Sequence, residues 1–190
     1  YPDLGKIAGM LKEKGLKGLE QIDIEVGVPI RPTLAERLNS AEEIVKKLGK
    51  CAVEGKYDGF RLQCHKNGSK VTIYSRRLEP MTHMFPDVVK ALQEQVSAKT
   101  AILEGEALAY NENTGEYQPF QITIQRKRKH DVNEFAGKFP LKVFVFDCMY
   151  LDGKNVMDLP FQERQEKLKN TIKKGNVLEL PKRIVTDRAE

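Results

Sequence analysis

Apolar residues recur along this chain at two periods. Leu4, Ile7, Ala8 and Leu11 fall at helical spacing, and Gly15 and Gly18 close the segment, which predicts a helix within residues 4–17. Pro29-Ile30-Arg31-Pro32 is held extended by proline sterics. Ser40 and Glu43 make a capping box ahead of Ile44, Val45 and Leu48, predicting a short helix that ends at Gly49 and lies on a core. Period two takes over afterwards. Residues 60–66 and 69–76 alternate, and Asn67-Gly68 between them predicts a hairpin with a type I′ turn. That turn sets Leu62 opposite Ile73, Cys64 opposite Val71 and Phe60 opposite Ser75 on a buried face. Arg61 then opposes Tyr74 on the other face, with Arg76 as its diagonal neighbour.

Residues 86–96 read as a helix with Val89, Leu92 and Val96 inward. Residues 101–110 read as a strand with Ile102, Glu104, Glu106 and Leu108 on one face and Leu103, Ala107 and Ala109 on the other. Asn111 to Gly115 is a turn, and residues 141–150 form a strongly apolar strand. Asp152-Gly153 turns the chain, and Asp158 caps a helix running to about Lys174 with Phe161, Leu168 and Ile172 inward. Antiparallel hairpins interleaved with packed helices predict an α+β fold, not a doubly wound one. Neither G-x-G-x-x-G nor G-x-x-x-x-G-K-[ST] occurs, so no Rossmann or P-loop device holds a nucleotide here.

With 190 residues the chain makes one domain or two small ones. The +5 charge and pI near 9.0 suit a nucleic-acid partner without demanding one. No stretch has the length of a membrane span, and no signal peptide opens the chain. Cys51, Cys64 and Cys148 are scattered, which indicates neither a zinc site nor a disulfide framework and points to a reducing compartment.

The candidate chemistry centres on Glu54-Gly55-Lys56-Tyr57-Asp58-Gly59-Phe60-Arg61. Lys56 sits at a predicted strand end, with a carboxylate two residues before it and a guanidinium five after. A lysine amine attacks only when unprotonated, and a nearby cation and partial desolvation both favour that form. Arg61 and Arg76 on one side of the sheet make either an anion site or a pair of solvated charges. Glu104 and Glu106 either share a divalent cation or lie in water on an edge strand. Phe146 is either core or a ring face offered to a base. Arg126, Lys127, Arg128 and Lys129 are either a solvated run or a phosphate-backbone contact.

Taken together these residues resemble the nucleotidyltransferase domain of archaeal and eukaryal-type ATP-dependent DNA ligases. The resemblance runs collinearly from about Val28 to the end of the chain. Its first motif is carried by residues 54–61, the S-R element by Tyr74-Ser75-Arg76-Arg77-Leu78-Glu79, the third motif by Ile102-Leu103-Glu104-Gly105-Glu106 and the aromatic motif by Val145-Phe146-Asp147. Pro119-Phe120-Gln121 with residues 126–130 resembles a loop of this ligase branch.

The resemblance implies an antiparallel-sheet nucleotidyltransferase domain of the DNA ligase and mRNA-capping type, incomplete at its C-terminus, over residues 28–190. Residues 1–27 would be a linker or helix from an upstream domain. It implies that Lys56 takes AMP from ATP, that Glu54 reads the exocyclic amine of adenine, and that Phe146 stacks on the base. Arg61 and Arg76 would contact ribose and phosphate, and Glu106 would hold a ribose hydroxyl or magnesium. Arg126, Lys127, Arg128 and Lys129 would touch DNA. The partner would be nicked duplex DNA in replication, repair or recombination, with a sliding clamp reached through regions this chain lacks. The compartment would be the cytoplasm, or the nucleus of a eukaryote. In the third motif the family carries aspartate where this chain has Glu104, so Glu104 inherits no ligand role. An E-G-apolar-x-K segment, a K-x-K segment, a helical DNA-binding domain and an OB-fold domain are missing. A chain so shortened is expected to bind ATP weakly and not to seal nicks alone. An RNA ligase, a capping-type nucleotidyltransferase and a catalytically idle nucleic-acid-binding module are the alternatives.

Overall fold

Most of the strands join one sheet, and its two faces are covered by different means. The computed structural model describes residues 3–126 and 131–190. The strands are β1 (Cys51–Glu54), β2 (Phe60–Asn67), β3 (Lys70–Ser75), β4 (Thr100–Asn111), β5 (Glu116–Tyr117), β6 (Leu141–Leu151), β7 (Lys154–Asn155), β8 (Leu178–Glu179) and β9 (Arg183–Thr186). The helices are α1 (Leu4–Lys14), α2 (Leu16–Leu19), α3 (Ala41–Leu48), α4 (Pro86–Gln95), α5 (Phe120–Thr123), α6 (Val132–Lys138) and α7 (Phe161–Thr171). The main sheet runs β3-β2-β4-β6-β7, with β5 added to β4 and β8 added to β6. Its pairings are antiparallel except β6 with β8. A separate two-stranded ribbon joins β1 to β9.

One face of the sheet carries Leu62, Cys64, Ile73, Leu103, Ala107, Val143 and Val145, packed with Val88, Ala91 and Leu92 of α4 and Leu168 of α7. The other face is also covered. Gln63, His65 and Glu104 are buried there, with Gly27 and Ile30 of the preceding turn and loop bonded to His65 and Gln63 respectively. Buried amides need partners, and these find them. The Gln63 side chain accepts from Ile30 N–H at 2.7 Å and donates both to Ile30 O at 2.9 Å and to Glu104 at 3.0 Å.

The turn is not where Asn67-Gly68 puts it. The last hairpin pair is Asn67↔Lys70, so Gly68 and Ser69 are the two turn residues. Gly68 has φ +58° while Ser69 keeps a negative φ, so the positive angle falls on a glycine at the first central position, as in a II′ turn. The pairs become Leu62↔Ser75, Cys64↔Ile73 and Lys66↔Val71. Partners move by two positions, so every side chain keeps its predicted face.

Three helix expectations also change. α3 is capped as predicted, with Glu43 N–H donating to Ser40 Oγ at 3.2 Å, but none of its residues is buried. It does not lie on a core among the described residues. α7 begins at Phe161 behind Pro160, without a side-chain cap from Asp158, and Phe161 is 41% exposed and not in the core. In α4, Val88 with Leu92 is fully buried, and Val89 is only partly so. Among the described residues no helix is long and apolar enough to cross a membrane.

His65 makes this second face sensitive to acid. Its Nδ1 accepts from Gly27 N–H at 2.9 Å, so the neutral ring must carry its proton on Nε2, facing Gln63 Oε1 at 3.0 Å. Burial pulls the ring's pKa from 6.5 down to about 4. Between those values the unfolded chain binds more protons than the folded one, so stability is complete above 6.5 and drains away as pH falls toward 4. The full loss is about 3 kcal/mol. Urea midpoints followed from pH 7 to 4.5 should show this decline. His65→Gln, whose amide donates and accepts without titrating, should show a shallower one. Equal slopes would refute the assignment.

Candidate functional site

The β1–β9 ladder ends at Glu54↔Arg183, and the chain leaves the strand there. Residues 55–58 form an irregular loop leading into β2. Lys56 is therefore not on a strand with Glu54, and its side chain is exposed. The partial desolvation expected for it is not met, because the short ribbon supplies nothing to cover residue 56.

Two contacts fix this loop. The Tyr57 ring lies parallel on Phe144, with centroids 3.9 Å apart and planes 3° apart. Burial, and then the charge of Glu54, push the Tyr57 hydroxyl above its ordinary pKa. At the far end Gly59 N–H donates to Glu106 Oε1 at 3.2 Å. This position tolerates only glycine: a Cβ would stand 2.3 Å from the carbonyl oxygen of Ala107 and 3.0 Å from Leu108 Cγ. A Cβ on Gly55 would meet nothing nearer than Tyr57 Cζ at 3.9 Å. Gly59→Ala should accordingly cost about 2–3 kcal/mol by overpacking against a central strand, and Gly55→Ala almost nothing. Urea midpoints of the two variants check this; equal values would contradict it.

Glu106 faces Arg61 across the β2–β4 ladder. Burial raises its carboxyl pKa, while the Gly59 N–H and the charges of Arg61 and Lys56 pull it back and Asp58 adds to the rise. The nucleophile candidate, Arg61 and Glu106 thus share one electrostatic neighbourhood although Lys56 is exposed. Arg61 pairs with the buried carboxylate of Glu104. Its guanidinium lies 5.2 Å from the centre of the Phe146 ring, and its buried Nε has no hydrogen-bond partner. Glu104 thus takes a part that the motif comparison withholds: it neutralises and orients Arg61. The edge-strand alternative fails, because β4 lies between β2 and β6 and Glu104 is buried.

Phe146 sits in a bulge. β4 pairs Glu104↔Asp147 and then Gly105↔Val145, so Phe146 is the extra residue on β6. It is half-buried, whereas Phe144 belongs to the interior. Asp147 beside it accepts two bonds from Arg164, at 2.9 and 3.1 Å, which pins α7 to β6.

Other predicted residues lie apart. Arg76 is exposed, one residue past the end of β3, and none of the described contacts joins it to this group. Arg126 is no surface cation. Its side chain is 1% exposed and is bound to Asp87 at 2.5 Å and to Phe139 O at 2.9 Å. That guanidinium holds α4 and α6 together and is closed to a phosphate. Lys127, Arg128 and Lys129 lie outside the described residues.

Among the described residues no three His, Cys, Asp or Glu side chains gather to hold a metal. Glu106, with Asp58 in its field, is instead a donor set of one or two carboxylates. Magnesium fits such a set when phosphate oxygens and water complete its shell.

Sequence comparison accords with this geometry. Residues 32–190 match the model of the ATP dependent DNA ligase domain. The chain is 50% identical over 185 residues to a protein of Dictyoglomus turgidum named probable DNA ligase, covering 97% of this chain and 32% of that protein. It is 46% identical over 185 residues to a DNA ligase of Hyperthermus butylicus, covering 97% and 30% respectively. The chain thus spans about a third of the length of the curated relatives it matches. Among solved structures it resembles a mycobacterial DNA ligase D complexed with ATP and MES, with a TM-score of 0.50, 24% identity, and coverage of 72% of this chain and 41% of that one. That likeness concerns the fold alone.

Proposed function

The chain belongs to the ATP-dependent DNA ligase domain family, and on that premise we propose that it is the nucleotide-charging part of a DNA ligase. Lys56 Nζ attacks the α-phosphorus of ATP. The bond from that phosphorus to the bridging oxygen breaks, pyrophosphate leaves, and the amine loses a proton to water. AMP remains on the lysine through a P–N bond. It then passes to the 5′-phosphate at a nick in duplex DNA, and the neighbouring 3′-hydroxyl displaces it.

In this reading Glu54 accepts from the exocyclic amine of adenine, and Phe146 stacks on the base. Arg61 and Arg76 meet ribose and phosphate oxygens, and Lys127, Arg128 and Lys129 meet the DNA backbone. Glu106 holds a ribose hydroxyl or, with the phosphates, magnesium, which when bound neutralises charge on the transferring group. The observation that carries the reading is the single neighbourhood of Lys56, Arg61 and Glu106, with the Arg61 guanidinium against the Phe146 ring. Replication, repair and recombination, a sliding-clamp contact and a cytoplasmic setting are further proposals that follow from ligase membership.

The test is intact mass spectrometry after incubation with ATP and magnesium, on a version extended to the length of the relatives. It should gain the mass of AMP at Lys56, in a linkage cleaved by acid. GTP should give little adduct, since guanine presents an acceptor, O6, where adenine presents a donor. A preference for GTP would favour a capping-type enzyme, and no adduct with either an idle binding module.

A further inference from the structure

The proposed base-reading carboxylate is held from behind by a relay the motif comparison does not contain. Arg183 Nε donates to Glu54 Oε1 at 2.5 Å, and Nη2 stands in ion-pair contact with the same oxygen. No described residue donates to Glu54 Oε2. The same guanidinium donates to Gln165 Oε1 at 2.8 Å and lies 4.8 Å from the centre of the Phe161 ring. Gln165 uses the other end of its amide as well: Nε2 donates to Phe146 O at 2.8 Å. An unbroken path therefore joins Glu54 to Arg183, Gln165 and the backbone of Phe146. Phe161, Arg164 and Gln165 stand at i, i+3 and i+4 of α7, so one helix face supports Arg183, anchors Asp147 and ties down Phe146.

We propose that Arg183 and Gln165 are positioning residues for purine selection. Arg183 occupies one oxygen of Glu54 and turns the other toward the base. Gln165 keeps that carboxylate in register with the strand segment whose ring covers the base. Neither touches the nucleotide. The inference rests on the adenylation reading above and adds to it the device by which adenine is chosen. An exposed ion pair between long side chains fixes little. This one is mostly buried, its arginine is used by two acceptors and a ring, and both ends of the connecting amide are engaged. Such a network restricts direction as well as distance.

The experiment is equilibrium titration of this chain with ATP and with GTP, reading the ratio of the two Kd values. Wild type should prefer ATP. Arg183→Met should shrink that preference about tenfold or more, the scale of one mis-set hydrogen bond to a charged group. Arg183→Lys, which keeps the charge but not the fork, should fall between. Gln165→Glu replaces the donor to Phe146 O with an acceptor and should also shrink the preference. A purely structural role would weaken ATP and GTP together and leave the ratio alone, and that result overturns the inference. If Arg183→Met does not fold, the ratios of Arg183→Lys and Gln165→Glu decide by the same criterion. Wild type that binds neither nucleotide, or binds both equally, overturns the adenylation reading and this inference with it.

Discussion

Lys56→Ala should abolish the AMP adduct and leave the fold as stable as before. The two halves of that result have separate causes. Lys56 is exposed and lies in a loop fixed by its neighbours, Tyr57 on Phe144 and Gly59 on Glu106. Removing its side chain deletes no core contact, so stability should move by less than about 0.5 kcal/mol. The chemistry should respond quite differently. Loss of a covalent nucleophile cannot be made up by groups that only bind, and adduct formation should fall by about four orders of magnitude or more. Lys56→Arg is the informative partner. It keeps a cation near Glu106 but offers no amine that deprotonates, so it too should form no adduct while retaining ATP binding. Mass spectrometry and a thermal melt on the same samples measure both halves. An adduct that survives in Lys56→Ala would move the nucleophile elsewhere. A melt that collapses would make Lys56 structural.

Features encoded by neighbouring residues were the ones legible in the sequence. The alternation of residues 60–76 put Leu62, Cys64, Val71 and Ile73 on the core face, where they are found, because period-two patterning depends only on the strand itself. The turn was misplaced by one residue, since Asn-Gly and Gly-Ser both satisfy a two-residue hairpin and only the partner strand discriminates between them. Burial by distant segments was invisible. Gln63 and His65 look like the wet side of a hairpin until Gly27 and Ile30 close over them. Arg183 escaped notice for a related reason. Ile184-Val185-Thr186 does carry a strand signal, but what makes Arg183 matter is Glu54, 129 residues away. Of the candidate site, Glu54, Lys56, Arg61, Glu106 and Phe146 could be named from motifs. Glu104 as the partner of Arg61, and the bulge at Phe146, needed the ladders that β4 makes with β2 and β6.

The basic run tests how far composition misleads, and Asp87→Ala should settle the part of it that begins at Arg126. A cation in a loop beside three more reads as a DNA contact, and truncating its partner would then be harmless. The structure demands the opposite. Arg126 is buried beneath Phe85, with its ring centre 5.9 Å away, and Asp87 is its charge partner. Without Asp87 an arginine that is 1% exposed keeps, among the described residues, two carbonyl dipoles and the Phe85 ring to meet its charge. Breaking a buried pair in this way costs about 3–4 kcal/mol. Arg126→Met should cost less, about 2 kcal/mol, chiefly the hydrogen bond lost at Phe139 O. It removes the charge together with a buried Nε that has no partner, and it leaves Asp87 partly in water. The double variant should therefore be more stable than Asp87→Ala alone, a sign of coupling that independent surface sites cannot produce. Urea denaturation of the three variants decides the matter. If Asp87→Ala is neutral, Arg126 is a solvated cation after all, and the run regains its claim on the phosphate backbone.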